Sequence, residues 1–241
     1  MPRVNPEGRE RIAIAILAKA PIPGLSKTRL MPHLGAEGAA ALQAWLLQRA
    51  VATALAADIG PVSLWCTPDT GHPDFARCAR QGPITVRQQP AGDLGERMHL
   101  AIAESPSTAG TLVIGTDCPR LDAAHLQKAA SALAEHDAVL TPAEDGGYVL
   151  IGMREASYLA FADIAWSTEH VLIQTRQRLA GIGWRWAEFE SFWDVDRKED
   201  FERLIQHFPE LAGLAAPTMD RPPADETVRS CPAPRSGWKN D

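Results

Sequence analysis

The stretch Ile12-Ala13-Ile14-Ala15-Ile16-Leu17-Ala18-Lys19-Ala20-Pro21-Ile22-Pro23-Gly24-Leu25-Ser26-Lys27-Thr28-Arg29-Leu30 joins an unbroken apolar run to a loop rich in proline, glycine and cationic residues. A short apolar run bounded by turn residues reads as a buried strand. Pro21 and Pro23 stiffen the turn after it, and Gly24 permits a positive φ, so successive N–H groups can converge on an anion. Lys27 offers a point charge to a diphosphate or triphosphate, and Arg29 can grip oxygens in a bidentate manner. Ala18 and Lys19 stand at the carboxyl end of the strand, the edge where open α/β sheets bind ligands. The loop is not a Walker loop, because Leu25 and Ser26 stand where a glycine would precede the lysine. A surface turn with solvated Lys and Arg is the other reading of the same residues.

Outward from this stretch, short apolar runs alternate with longer amphipathic ones. Strands are predicted at Ile12–Ala18, Pro61–Cys66, Ile84–Gln88, Thr111–Gly115, Ala138–Thr141, Tyr148–Met153 and Trp184–Phe189. Helices are predicted at Ala36–Ala57, Pro73–Ala79, Leu94–Glu104, Ala123–Glu135, Glu169–Ala180 and Lys198–Gln206. Connecting helices make the first four strands parallel. Tyr148–Met153 follows its predecessor too closely for a crossover, so the sheet is mixed. One domain over 1–214 is expected. The Pro-, Ala-, Asp- and Arg-rich segment 215–241 cannot bury enough apolar area to offset its ordering entropy, and reads as a disordered tail.

Composition excludes several classes. With 24 basic and 30 acidic residues and a formal charge of −6, the chain has no cationic stripe for nucleic acid. Its four scattered cysteines, Cys66, Cys78, Cys118 and Cys231, form neither a disulfide framework nor a zinc pattern. No secretion leader and no run near the roughly 20 apolar residues of a membrane helix is visible, so a cytoplasmic protein is expected. Composition is equally compatible with a monomer and a homodimer. No GxSxG hydrolase signature occurs.

Asp117 ends the apolar run Thr111–Gly115 after Thr116, which places a carboxylate at the same sheet edge. It can hold a hard cation that bridges phosphate oxygens, magnesium (Mg2+) or manganese (Mn2+). Asp before Pro also serves as a cap, and that reading stays open. Pro119 removes the second carboxylate of an Asp-x-Asp, so further ligands must come from elsewhere. Asp194-Val195-Asp196 can supply them, since alternate residues of an extended segment point the same way. In Glu144-Asp145-Gly146-Gly147-Tyr148 the glycines allow close approach of a substrate, and Glu144 or Asp145 can act as acceptor base; a plain hairpin turn explains the string equally well. Gly95 and Arg97, in Gly92–Met98, can shape and contact a nucleotide pocket, with helix capping by Asp93 as the alternative. Trp166, before Ser167-Thr168-Glu169, can stack on a base or sugar or simply pack. His99, His125, His136 and Asp200 read as surface residues.

The segment Lys19–Leu30 resembles the opening motif of a bacterial family long known only as a domain of unknown function and often labelled an arsenosugar- or selenodomain-associated glycosyltransferase. The resemblance extends through Asp117-Cys118-Pro119, Glu144–Tyr148, Gly92–Met98, Trp166–Glu169 and Asp194–Asp196, from about Ile12 to Phe208. A more distant similarity is to the guanylyltransferases of deazaflavin cofactor synthesis. The family belongs with the nucleotide-diphospho-sugar transferases. Membership implies a glycosyltransferase-A-like three-layer α/β/α sandwich, with Asp117, Asp194 and Asp196 as metal ligands. It also implies a nucleotide sugar as donor and a small-molecule acceptor. Nucleotidyl transfer from a nucleoside triphosphate is the alternative, and a silent nucleotide-binding module that regulates a partner is a third reading.

Overall fold

The computed structural model describes residues 11–107 and 109–215. The first ten residues and, apart from Ala215, the expected tail lie outside these. Seven strands form one sheet: β1 (Ala13–Lys19), β2 (Val62–Thr67), β3 (Ile84–Gln88), β4 (Thr111–Ile114), β5 (Ala138–Pro142), β6 (Tyr148–Met153) and β7 (Trp186–Glu188). Their order is β3-β2-β1-β4-β6-β5-β7. All neighbours pair in parallel except β6, which runs antiparallel to both β4 and β5. The mixed sheet expected from the sequence is present. Its hairpin does not extend outward in chain order, however, because β6 turns inward to lie between β4 and β5. Gly152 shows why this interior place suits it: a Cβ there would stand 2.5 Å from Leu112 and 2.6 Å from Val139, on the two neighbouring strands.

Six α-helices accompany the sheet: α1 (Met31–Ala57), α2 (Pro73–Ala79), α3 (Leu94–Ala103), α4 (Ala123–Leu133), α5 (Val171–Gly181) and α6 (Lys198–His207). α1 begins one turn before the expected Ala36. Pro32 stands in its first turn, and Gly35, at φ 70°, interrupts the ladder. Side chains alternate across the strands, so each face builds a core. Ile14, Ile16, Leu64 and Leu112 meet Leu47 of α1 and Leu126 of α4. On the opposite face Ala15, Val113 and Ile151 meet Met98 of α3 and Leu179 of α5. Covering both faces is what makes the strands read as apolar runs.

A third cluster decides where the site can form. Leu30, Leu42 and Leu46 pack against Trp193, Val195, Phe201 and Leu204, bringing the C-terminal segment onto the start of α1. Each such side chain contributes about 1.5–3 kcal/mol on burial. No helix of the described residues is long and apolar enough to cross a membrane. Cys66, Cys78 and Cys118 are free thiols, and burial pushes the first and third up to about 12.

Candidate active site

After β1 the chain builds β2 and β3 on one side, then returns to place β4 on the other. Loops leaving β1 and β4 therefore diverge and open a crevice at the carboxyl ends of the strands. A cleft of about 580 Å³ lies there. Ala18, Lys19, Lys27, Arg29, Arg97, Asp117 and Asp196 line it, joining residues from separate sequence motifs.

The loop after β1 is held by a buried serine to which the sequence alone assigns no role. Ser26 Oγ accepts from the Ile22 N–H at 2.9 Å and donates to the Ala20 carbonyl at 2.7 Å. Lys19 Nζ donates to the Leu25 carbonyl at 2.7 Å, bracing the same turn. The expected nest around Gly24 does not form: the Leu25 and Ser26 N–H groups both donate inward to the Ile22 carbonyl, and Pro23 and Gly24 stand exposed outside the cleft. Lys27, at φ 48°, reverses the chain into a 3-10 turn over Thr28–Leu30. The N–H groups of Lys27, Thr28 and Arg29 meet no acceptor among the described residues. Among the described residues, the loop's unpaired N–H groups thus lie a few residues beyond Gly24.

The Lys27 side chain is 4% exposed, and its ammonium lies 2.9 Å from the Asp117 carboxylate. It also donates to the Val195 carbonyl at 2.5 Å. A polar relay runs behind Asp117: Gln43 Nε2 donates to Thr116 Oγ1 at 3.1 Å, and that hydroxyl donates to Asp117 at 3.1 Å. The Val195 N–H donates to the Asp117 carbonyl at 2.9 Å, so the C-terminal segment is sewn to the end of β4. Helix α4 is capped by Asp122, which leaves Asp117 free of that task. Arg29 forms an ion pair with Asp196.

Asp194 and Asp196, two residues apart, meet different surroundings: of the two, Asp196 lines the cleft and Asp194 does not. Asp194 is half-buried and has no ion-pair partner among the described residues. Burial, reinforced by the neighbouring carboxylates of Asp145 and Asp117 and opposed by Lys27, pushes its acid up to about 6. Asp117 and Asp145 thus lie near enough to Asp194 to disfavour its ionised form. No preassembled group of three metal-ligating side chains occurs among the described residues. Asp196 is instead held by the loop arginine.

Ionising Asp194 in the folded state costs free energy, because its acid lies above the ordinary value of 3.8. That cost is absent below about pH 4 and complete above about pH 6. Asp194→Asn is therefore expected to raise stability at pH 8 by about 1 kcal/mol, discounted for partial exposure, or roughly 2–4 °C in melting temperature. At pH 4 the gain vanishes. Thermal melts at the two pH values check this, and an equal or opposite shift at both would overturn it.

Several predicted residues lie elsewhere. Glu144 pairs with Arg203 of α6 at 2.9 Å, and Arg203 in turn lies 4.7 Å from the Trp193 ring. Glu144 is thus engaged in docking α6, and Asp145 is the carboxylate on the Asp194 side. Asp145 also accepts from the Gly147 N–H at 2.9 Å, the turn geometry that the sequence allowed. Gly146, at φ 91°, faces the Glu169 backbone so closely that a Cβ would lie 2.3 Å from its carbonyl oxygen. Trp166 is no platform in the cleft: it packs beside Phe161 and over Gly95, where a Cβ would stand 2.6 Å from the indole. Gly95 thus makes room for Trp166, while Asp93 and Glu96 form a capping box. Asp200 is not a plain surface residue, since it accepts from the Asp196 and Arg197 N–H groups. His125 is half-buried, bonded to Thr141 Oγ1 at 2.7 Å and packed 4.7 Å from Phe192. Gln43, Gln89 and Tyr148 line the cleft without having been predicted as site residues. A glutamine within a helix or after a strand carries no motif.

Among solved structures, the chain is similar to a candidate nucleotide-diphospho-sugar transferase from Desulfovibrio desulfuricans G20, with 26% identity and a TM-score of 0.74 over 86% of this chain and 97% of that one. It shares its fold with 4-diphosphocytidyl-2C-methyl-D-erythritol synthase from Anaerococcus prevotii DSM 20548, at 13% identity and a TM-score of 0.57 over 83% of this chain and 96% of that one. The same holds for a nucleotidyl transfer enzyme from Methanothermobacter thermautotrophicus, at 12% identity and a TM-score of 0.55 over 83% and 98%. The architecture is the glycosyltransferase-A-like sandwich common to these groups. No curated protein matches the chain. Residues 50–168 match the family described as uncharacterized protein conserved in bacteria, DUF2064.

Proposed function

We propose that the protein is a divalent-metal-dependent transferase that takes a glycosyl group from a nucleotide-activated sugar. The observation that carries this reading is the buried Lys27 ammonium bound to Asp117, with Arg29 and Asp196 paired in the same cleft. Lys27 and Arg29 line one crevice, and cationic donors of this kind suit diphosphate oxygens. Asp117 and Asp194, with Asp145 beside them, would hold the cation, and when bound it supplies charge stabilisation on the departing diphosphate. Lys27 and Arg29 would exchange their carboxylate partners for phosphate oxygens and offset charge as the leaving group departs. Asp145, exposed at its turn, would take the proton of the acceptor hydroxyl. Lys27 and the Gln43–Thr116 relay fix the Asp117 carboxylate beforehand, so that little reorganisation is needed.

Nucleotidyl transfer is the second reading, favoured by the cations Lys19, Lys27 and Arg29, which line one cleft with Arg97 and suit a triphosphate. Incubation with nucleotide sugars and nucleoside triphosphates separates the two. Release of a nucleoside diphosphate supports sugar transfer, and release of pyrophosphate supports nucleotidyl transfer. Chelation by EDTA is expected to stop turnover, with recovery on adding magnesium or manganese; turnover unchanged by the chelator would remove the cation. Nucleotide binding without turnover across a broad acceptor panel would indicate a regulatory module instead.

A further inference from the structure

Resting on the proposal of a bound nucleotide, we infer that Gln89 and Arg97 read the base and select a lactam edge, the N–H beside C=O of guanine, uracil or thymine. Gln89 directly follows β3, and Asp117 follows β4. Three strand spacings separate these strands, about 14 Å, the reach of an extended nucleoside diphosphate. With the phosphates at Lys27 and Asp117, the base falls at the β3 end, where the exposed Leu94 adds apolar surface.

The Gln89 amide is locked. Its Nε2 donates to the Ala18 carbonyl at 3.1 Å and to the Trp65 carbonyl at 2.9 Å, which spends both hydrogens. A flipped amide would set Oε1 against two carbonyl oxygens. Oε1 is therefore a fixed acceptor, and its one partner, Arg97 Nη1, lies at a long 3.4 Å. Arg97 is anchored through Nε to the Gly92 carbonyl at 3.1 Å, which leaves its terminal nitrogens beside that acceptor.

A glutamine recognises adenine by using its oxygen and its NH2 together, while an arginine donates well to a base carbonyl oxygen. Here the NH2 is consumed, so the bidentate adenine mode is lost. What remains is one fixed acceptor next to a cationic donor. A lactam answers both, with N–H to Gln89 and C=O to Arg97. Adenine and cytosine set a ring nitrogen, a weaker acceptor, beside their amino group.

Isothermal titration of the full chain with GDP, UDP, dTDP, ADP and CDP, each with magnesium, tests this. At least one lactam nucleotide is expected to bind about tenfold or more tighter than both ADP and CDP, because their ring nitrogen accepts from Arg97 less well than a carbonyl oxygen does. Methylating the lactam nitrogen of the preferred nucleotide should abolish its advantage, and Arg97→Met should remove most of it. The methylated ligand gives an answer even where the variant fails to fold. ADP or CDP binding as tightly as the best lactam nucleotide overturns the inference, as does a preference that survives methylation or Arg97→Met. If all five bind alike, base selection falls and the nucleotide reading stands. If none binds, both fall.

Discussion

Asp117→Asn is expected to lower turnover by a factor of about 10² to 10³, the usual loss when one preorganised electrostatic element is removed from an active site. Asn keeps the shape and an oxygen for the Thr116 hydroxyl and for Lys27, so the contacts seen at 3.1 Å and 2.9 Å can persist. The variant loses the negative charge. Because the Asp117 side chain is 47% exposed, water screens part of its attraction to Lys27. The stability cost is accordingly about 1 kcal/mol, roughly 2–4 °C in melting temperature. Steady-state kinetics beside a thermal melt separates the effects: a large kinetic loss in a folded protein supports the assignment, and wild-type turnover removes the carboxylate from the chemistry.

Lys27→Met is expected to weaken nucleotide binding by about 10² or more, since a charge-assisted hydrogen bond contributes about 1.5–3 kcal/mol and the ammonium can make more than one. This variant should also destabilise the fold. Met cannot donate to the Val195 carbonyl, and it leaves Asp117 and Asp194 without their buried counter-charge. An unsatisfied buried acceptor alone costs about 1–3 kcal/mol. Lys27→Arg retains the charge but must place a planar fork where 4% of the lysine side chain is exposed, so its affinity should lie between the other two. Nucleotide titration with a parallel melt checks both. Unchanged affinity in folded Lys27→Met would take the loop cation out of the site.

These expectations start from residues whose meaning is local. Ile12–Ala18 and Thr111–Gly115 are apolar runs at strand length, and Asp117 comes two residues after the second while Lys27 comes nine after the first, in the loop that leaves it, so their position at the sheet edge is legible from short windows. Alternating strands and helices likewise point to a mainly parallel sheet with one reversal, because the length of a connection constrains direction. Glu144 and Trp166 mark the other side. Both stand in recognisable strings, but Glu144 is drawn to Arg203, 59 residues away, and Trp166 to the space that Gly95 leaves open.

From its sequence alone, this protein was readable as an α/β sandwich with a cationic loop and carboxylates at one sheet edge. Strand periodicity and turn chemistry act over a few residues, and both are written in order along the chain. Only the tertiary structure decided that β6 enters the sheet interior, that Lys27 reaches the Val195 carbonyl across 168 residues, and that Asp194 and Asp196 take different partners. It also recruited Gln43 and Gln89 to the cleft. Such contacts depend on sheet order and on the packing of Trp193 and Val195 against α1, and a contact between distant segments leaves no periodic trace in either of them.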